Sequence, residues 1–600
     1  MRPLKTSQSN LMNQFKSTYF IFSMAFFTSF VAFAQEDDNL GTEVVNVVKP
    51  YTAAVSDAFK IKETPVIEDE ENTKKETIEY TIFSFPVAST FTPAKGKAAP
   101  LDEESNKKLY DNYTTLGFGN YGHIVGELFL TKNFNKNAYI GGMIRHHSSQ
   151  GGINDVVLDD NFSNTQVDVT YGNATKNNAW NIDAGYQAQT FNWYGLPTFL
   201  YENLLEEERA TFIGGIDPKQ TYSNLYFGGR FGMEGSAFKG GEIKFNRFAD
   251  AYKSGENNLV LKPEFSFDVM NTTIKTRVLV DHLSGSFEDN PLTPENSLDY
   301  SITNFGLAPS ISMQQNGWDF NLGAQLFYSA DAENSESKFF IYPEISTSYA
   351  IVGDFMVLYA GIEGTLQQNS YRNFVAENPF VSPNLFIAPT DQQYDFFAGL
   401  KGKLASNVSY NVRGSYMSEK NRAFFVSNEP NTFVENPENY NYGNSFEVAY
   451  DDLKTITFFG EIKADFSKDF SAGVDASIMS YSVSNFEEAW NLPAMRVGAN
   501  SNYQINEKWN IGAQFFYVGQ RKDLAYQYGL NAIFPPDVVP SVATVDGYFD
   551  LNAQVYYTFN PRISAFLKLN NMANQAYERW INYPSQQFQI LAGANFKFDF

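Results

Sequence analysis

From Tyr110 onward the chain alternates apolar and polar residues in segments of about ten. Trp318, Phe320, Leu322, Ala324 and Leu326 share one side of such a segment, and Asp319, Asn321, Gly323, Gln325 and Phe327 share the other. The same alternation runs through Trp180–Ala188, Trp509–Tyr517 and Ile563–Leu569. A period of two with one apolar face predicts strands, not helices.

Two kinds of connection separate these segments. One kind is short and built from turn residues: Asn135-Lys136-Asn137, Lys176-Asn177-Asn178, Lys239-Gly240-Gly241, Asn271-Thr272-Thr273 and Asn316-Gly317. Gly353-Asp354, Ser406-Asn407, Ser467-Lys468-Asp469, Asn506-Glu507-Lys508 and Asn560-Pro561 complete that set. The other kind is long and irregular: Ser149–Phe162, Trp193–Gln220, Phe287–Tyr300, Tyr371–Gln392, Phe425–Tyr442 and Asp523–Asp546. Tight turns at one end and long loops at the other predict an all-β transmembrane barrel over residues 109–600, with periplasmic turns and extracellular loops. Ten turns join twenty strands, and one more at each end gives 22. The opening hairpin at Asn120-Tyr121-Gly122 and the stretch 444–466 are the least regular, so the expected range is 20 to 22.

Composition sharpens this picture. Aromatic residues make up 16% of the chain, yet mean hydropathy is −0.34 and no long apolar run follows residue 31. That excludes a membrane-crossing helix from the body of the chain and a largely disordered protein alike. The absence of cysteine excludes disulfides, thiolate catalysis, Cys-type metal centres and a lipid-bearing N-terminal cysteine. A formal charge of −24 disfavours nucleic acid as a partner.

Residues 1–34 read as a secretory leader. Arg2, Lys5 and Lys16 precede an apolar stretch from Tyr19 to Val31, and Ala32-Phe33-Ala34 supplies a cleavage site. Removing three positive charges and no acid takes the charge from −24 to −27. Residues 35–108 differ from all that follows, with the run Glu68-Asp69-Glu70-Glu71 and five prolines between Pro50 and Pro100. They are expected to form an extended periplasmic arm. At the other end Phe596, Phe598 and Phe600 alternate with polar residues, as in the signal by which barrel-assembly machinery recognises a closing strand.

Candidate chemistry is sparse. The four histidines are His123, His146, His147 and His282. Neighbours on a strand point to opposite faces, so His146 and His147 are not expected to chelate one metal, nor Asp281 and His282 to build a hydrolytic trio with Ser284 or Ser286. No nucleophile elbow, Walker loop or zincin helix occurs. No catalytic, metal or cofactor site is expected, and no enzyme. Aromatics in two loops, among them Trp193, Tyr194, Tyr201, Phe424, Phe425, Phe433, Tyr440 and Tyr442, and the acidic run Glu206–Glu208, leave two readings open. They either contact a ligand or pack over the mouth of the barrel.

The C-terminal tenth resembles the end of a TonB-dependent receptor barrel. The matching residues are Asn552-Ala553-Gln554-Val555-Tyr556-Tyr557, Phe559-Asn560, Leu569-Asn570-Asn571-Met572-Ala573-Asn574-Gln575, Tyr577, Tyr583-Pro584 and the strand ending at Phe600. Gln586-Gln587 stand where that family commonly has Gly-Arg. The resemblance implies a 22-stranded barrel taking part in solute or nutrient transport, with outer-membrane lipid and the barrel-assembly machinery as partners. It also implies a box that engages TonB; Glu43, Val44, Val45, Asn46, Val47 and Val48 are the candidate, with packing on the barrel as the other reading. The 74 residues of the arm are too few for the family's folded plug and lack its glycine pattern. A barrel this wide must then be filled by the arm, by inward-folded loops or by another protein. A lumen lined by Asn, Gln, Asp and Gly on an acidic chain favours cations or neutral solutes. The alternative is a non-conducting barrel subunit of a secretion, insertion or surface-lipoprotein complex.

Overall fold

The computed structural model describes residues 110–600 except 271, 291–295, 432–436 and 530–536. The leader, the arm and the Glu43–Val48 run lie outside the described residues. Twenty-two antiparallel strands form one sheet that closes on itself. The first strand, Asn112–Gly119, pairs with Ile124–Asn133 on one side and with the last, Gln589–Phe598, on the other. Strand number and closure are therefore as the alternation and turns predict. Among the described residues no helix is long and apolar enough to cross a membrane; the strands cross it.

The apolar face of the alternation is the outer one. Ile182 and Tyr186, Phe305 and Leu307, and Phe458 and Ile462 all lie exposed on the outside of the wall. Such a surface is stable against hydrocarbon and costly against water. Phe596 and Phe598 stack at 5.5 Å, with Phe600 edge-on to Phe598 at the same distance. At two inner-face glycines one neighbouring ring fills the space a side chain would take. Phe566 turns inward over Gly117 and Gly593, and a Cβ on Gly593 would lie 2.3 Å from that ring and 2.2 Å from the Leu116 carbonyl.

Nine of the ten expected turns fall where the sequence puts them. Asn316-Gly317 is a two-residue loop with φ of 53° and 80°, the conformation a twisted hairpin needs. The exception is Lys239-Gly240-Gly241, which lies inside the strand Phe238–Asp250, while residues 234–237 make the turn. Gly240 sits at a shift in pairing register with φ of 147°, and a Cβ there would meet the Phe231 carbonyl at 2.1 Å. Its glycine marks a bulge and not a turn. The region Asp523–Asp546 is likewise more regular than expected, since Arg521–Tyr528 and Val538–Val545 form a separate two-stranded hairpin at the rim. The stretch 444–466 becomes the longest strand, Phe446–Ser467, whose 22 residues run well beyond a hydrocarbon core.

Candidate functional site at the mouth and in the lumen

The loop end of the barrel is filled by its own loops. Residues 368–389, joining Met356–Gln367 to Thr390–Ala405, fold inward around a short helix, Tyr371–Glu377. Ser370 starts that helix, its Oγ accepting from Asn373 N at 3.1 Å. One face of the helix buries Tyr371, Phe374 and Val375. Tyr371 packs against Tyr222, Phe248 and Phe287, with ring centroids 6.2, 5.2 and 5.0 Å away. These three come from three different strands four to eight places away around the wall. A buried carboxylate fixes the helix: Glu256 accepts from Tyr371 N at 2.6 Å, Arg372 N at 3.3 Å and Tyr300 Oη at 2.9 Å. Tyr222 Oη donates to the Pro379 carbonyl at 2.9 Å.

A second loop, 571–588, enters from the seam between the last two strands. Its tip places Tyr583 against Phe380 at 3.8 Å, Tyr194 at 4.8 Å and Phe446 at 5.8 Å. Tyr583 Oη donates to the Asn444 carbonyl, and Asn444 Nδ2 donates to the Trp193 carbonyl. Gly195 lets the chain pass the Tyr583 ring, since a Cβ there would lie 2.2 Å from it. Trp580 packs on Phe425 and Phe446 at 5.3 and 5.4 Å. Tyr583, read in the sequence only as part of a Tyr-Pro motif, thus joins elements from opposite sides of the rim.

The loop aromatics settle the same way. Trp193, Tyr201, Phe424, Phe425, Tyr440 and Tyr442 are buried, with Trp193 between Tyr252 and Tyr440. Phe433 lies outside the described residues. Glu206–Glu208 open a surface helix, Glu206–Gly214. Glu256, Tyr222, Tyr300 and Tyr371 belong to this closure without any mark in the sequence, because strand periodicity gives a face and not a partner.

Below the closure the inner wall is polar. One cavity of about 470 Å³ is lined by Asn164, Gln166, Gln514, Asn552, Gln554 and Asn570, with Glu127, Arg145, His147 and Lys568. A neighbouring cavity of about 440 Å³ carries Asp168, Asp183, Arg230, Glu242 and Lys244. Elsewhere on the wall Arg413 pairs with Asp395 at 2.6 Å, and Arg277 pairs with Glu344. Cations therefore join the Asn, Gln, Asp and Gly expected from the alternation, and the lumen carries both signs of charge. His146 faces outward and bonds Thr165 Oγ1 at 2.8 Å, while His147 faces the lumen. His282 also faces outward, to Thr303, and Asp281 accepts from Asn258 at 2.7 Å. The structure brings together a different pair, His123 and His147, with a nitrogen–nitrogen distance of 3.3 Å. Among the described residues no group of three or more His, Asp and Glu is placed to hold a metal ion.

No protein-family model and no curated protein matches this sequence. Solved structures do. The iron transporter FrpB of Neisseria meningitidis is similar with a TM-score of 0.61 at 9% identity, over 82% of each chain. The ferric-catecholate import receptor Fiu of Escherichia coli K12 has a TM-score of 0.58 at 11% identity, over 81% of this chain and 82% of its own. The copper transporter OprC has 0.58 at 12%, over 81% and 80%. Identities this low speak for the fold. In strand number, closure and trace, the chain has the 22-stranded barrel of the TonB-dependent receptors.

Proposed function

We propose that this protein is an outer-membrane transport barrel of the TonB-dependent receptor type whose extracellular mouth is closed by its own loops. The observation that carries the reading is a polar, two-sign lumen lying beneath an apolar closure built from loops 368–389 and 571–588. A wall rich in amides and charges suits passage of a hydrated polar solute, and a dry closure stops leakage. The solved neighbours are named as an iron transporter, a ferric-catecholate import receptor and a copper transporter, and transport is the role carried over here. In this reading residues 1–34 direct export, 35–108 form a periplasmic arm, and Glu43–Val48 add a strand to TonB. Phe596, Phe598 and Phe600 engage the barrel-assembly machinery.

Planar-bilayer recording tests the channel. The intact protein is expected to conduct little. Replacing residues 371–387 by a short Gly-Ser link should produce discrete openings, and removing 35–108 as well should enlarge them. Silence in the doubly shortened protein sinks the transport reading. The second reading, a non-conducting subunit of a larger assembly, is favoured by the same closure, since interlocked aromatics make a rigid scaffold. Stoichiometric recovery of other outer-membrane proteins, surface lipoproteins included, in a mild-detergent pull-down supports it; recovery of TonB alone counts against it.

A further inference from the structure

Two histidines from separate parts of the wall bring their ring nitrogens to one point. His123 follows the turn Asn120–Gly122, and His147 lies near the loop end of the strand Ala138–Ser149. His123 Nδ1 stands 3.3 Å from His147 Nε2, with ring centroids 5.4 Å apart and planes 20° from parallel. That separation is long for a hydrogen bond, which usually spans about 2.7–3.2 Å between heavy atoms. It matches the distance of about 3.3–3.4 Å between two nitrogens at tetrahedral corners around one zinc ion, each about 2.0–2.1 Å from the metal.

The neighbours of His123 prepare it as a ligand. Gln586 Nε2 donates to Ser149 Oγ at 2.7 Å, and that hydroxyl donates to the Tyr121 carbonyl at 3.0 Å. The amide therefore turns Oε1 toward the histidine, where it also accepts from Gln589 Nε2 at 3.2 Å. His123 Nε2 donates to that oxygen at 2.8 Å, which puts the ring proton on Nε2 and leaves Nδ1 with its lone pair. Metal-bound histidines are held in this way, with the second nitrogen bonded to an oxygen. Phe162 lies edge-on to both rings, at 6.0 and 5.1 Å, and limits their rotation.

Both rings line the cavity of about 470 Å³, so an ion and its waters have a path and room. The charged residues of that lining are Glu127, Arg145 and Lys568. One carboxylate against two cations does not suit calcium or magnesium, which take oxygen ligands. Two neutral imidazoles suit a borderline ion such as zinc.

We propose that His123 and His147 form an open zinc site at the top of the lumen, with water in the remaining positions. The ion replaces the proton between the two nitrogens, and His147 keeps its single proton on Nδ1. Binding therefore changes no oxidation state and releases no proton from the neutral pair. With two protein ligands where structural zinc has four, the ion exchanges with solvent. Such a site stands equally in a conducting barrel and in a scaffold.

Cobalt(II) is the probe, because a tetrahedral cobalt ion absorbs visible light intensely and the hydrated ion hardly at all. The chain has no cysteine, so no thiolate competes for it. The full-length protein, folded in detergent and stripped with chelator, is titrated with cobalt(II) and then zinc at pH 8, above the ordinary histidine value of about 6.5. One tetrahedral cobalt per chain is expected, displaced by zinc. His147→Phe keeps a ring without a ligand and should weaken binding at least tenfold, as should His123→Phe. His146→Ala and His282→Ala remove outward-facing rings and should leave binding unchanged. Each variant is first shown to run as a folded, gel-resistant barrel. Pulsed electron spin resonance of copper(II) in the parent protein counts bound imidazoles without any variant, and two are expected. Absence of the tetrahedral band, binding that survives His147→Phe, binding lost in either outward variant, or fewer than two imidazoles overturns the site.

Discussion

Glu256 is 2% exposed and accepts three hydrogen bonds inside aromatic packing, so it shows what single residues do in this protein. Removing it strands the Tyr371 N–H and the Tyr300 hydroxyl in a dry site, at about 1–3 kcal/mol for each unsatisfied group. Glu256→Ala should therefore raise hydrogen exchange across residues 368–389 by at least tenfold, with Glu256→Gln losing less; equal protection in all three proteins would refute the role. Gly593→Ala is a second residue-scale case, because its Cβ has no room between the Leu116 carbonyl and the Phe566 ring. The expected outcome is slower closure of the barrel, read as a smaller gel-resistant fraction during refolding into detergent. Neither position stands out in the sequence. An inward Glu on an alternating segment looks like any lumen residue, and its partners come from segments 44 and 115 residues away.

At the scale of elements, strands were legible and loop elements were not. Period two survives in every membrane-crossing segment because each alternates between hydrocarbon and a polar lumen. Above the membrane that contrast disappears. The hairpin Arg521–Tyr528 with Val538–Val545 reads as irregular because Pro540 interrupts it and both faces are mixed. Its anchor is Asp523, which accepts from Ser427 N at 3.2 Å and from Leu524 N at 2.8 Å while fully buried. Burial pushes this carboxyl up to about 7, against hydrogen bonds from Asn491, Leu524 and Ser427. A raised acid is protonated in the folded state and ionised in the unfolded one between about pH 4 and 7, so the hairpin loses stability as pH rises through that window. Asp523→Asn should flatten the dependence, removing at most about 4 kcal/mol of difference between pH 4 and 8. Protease protection of the hairpin at the two pH values checks it; an unchanged slope would show that Asp523 stays ionised.

For the whole molecule, the number of strands could be counted from ten turns, and the outward direction of the apolar face follows once the segments are read as crossing a membrane. What filled the loop end could not be counted, because aromatic residues in irregular segments give no register. The sequence left the loop aromatics between ligand contact and self-packing, and their burial between opposite sides of the rim shows self-packing. The pairing of the first strand with the last has a consequence for how the protein is made. Thr115 bonds Asn595 across a separation of 480 residues, so the sheet has no closed form until nearly all of the barrel has been synthesised. Until then two bare edges and an apolar face would meet water or lipid. Until its last strand is made, the chain has no closed sheet in which to shelter those edges. A premature stop anywhere in the barrel leaves debris for proteases, and no smaller working pore.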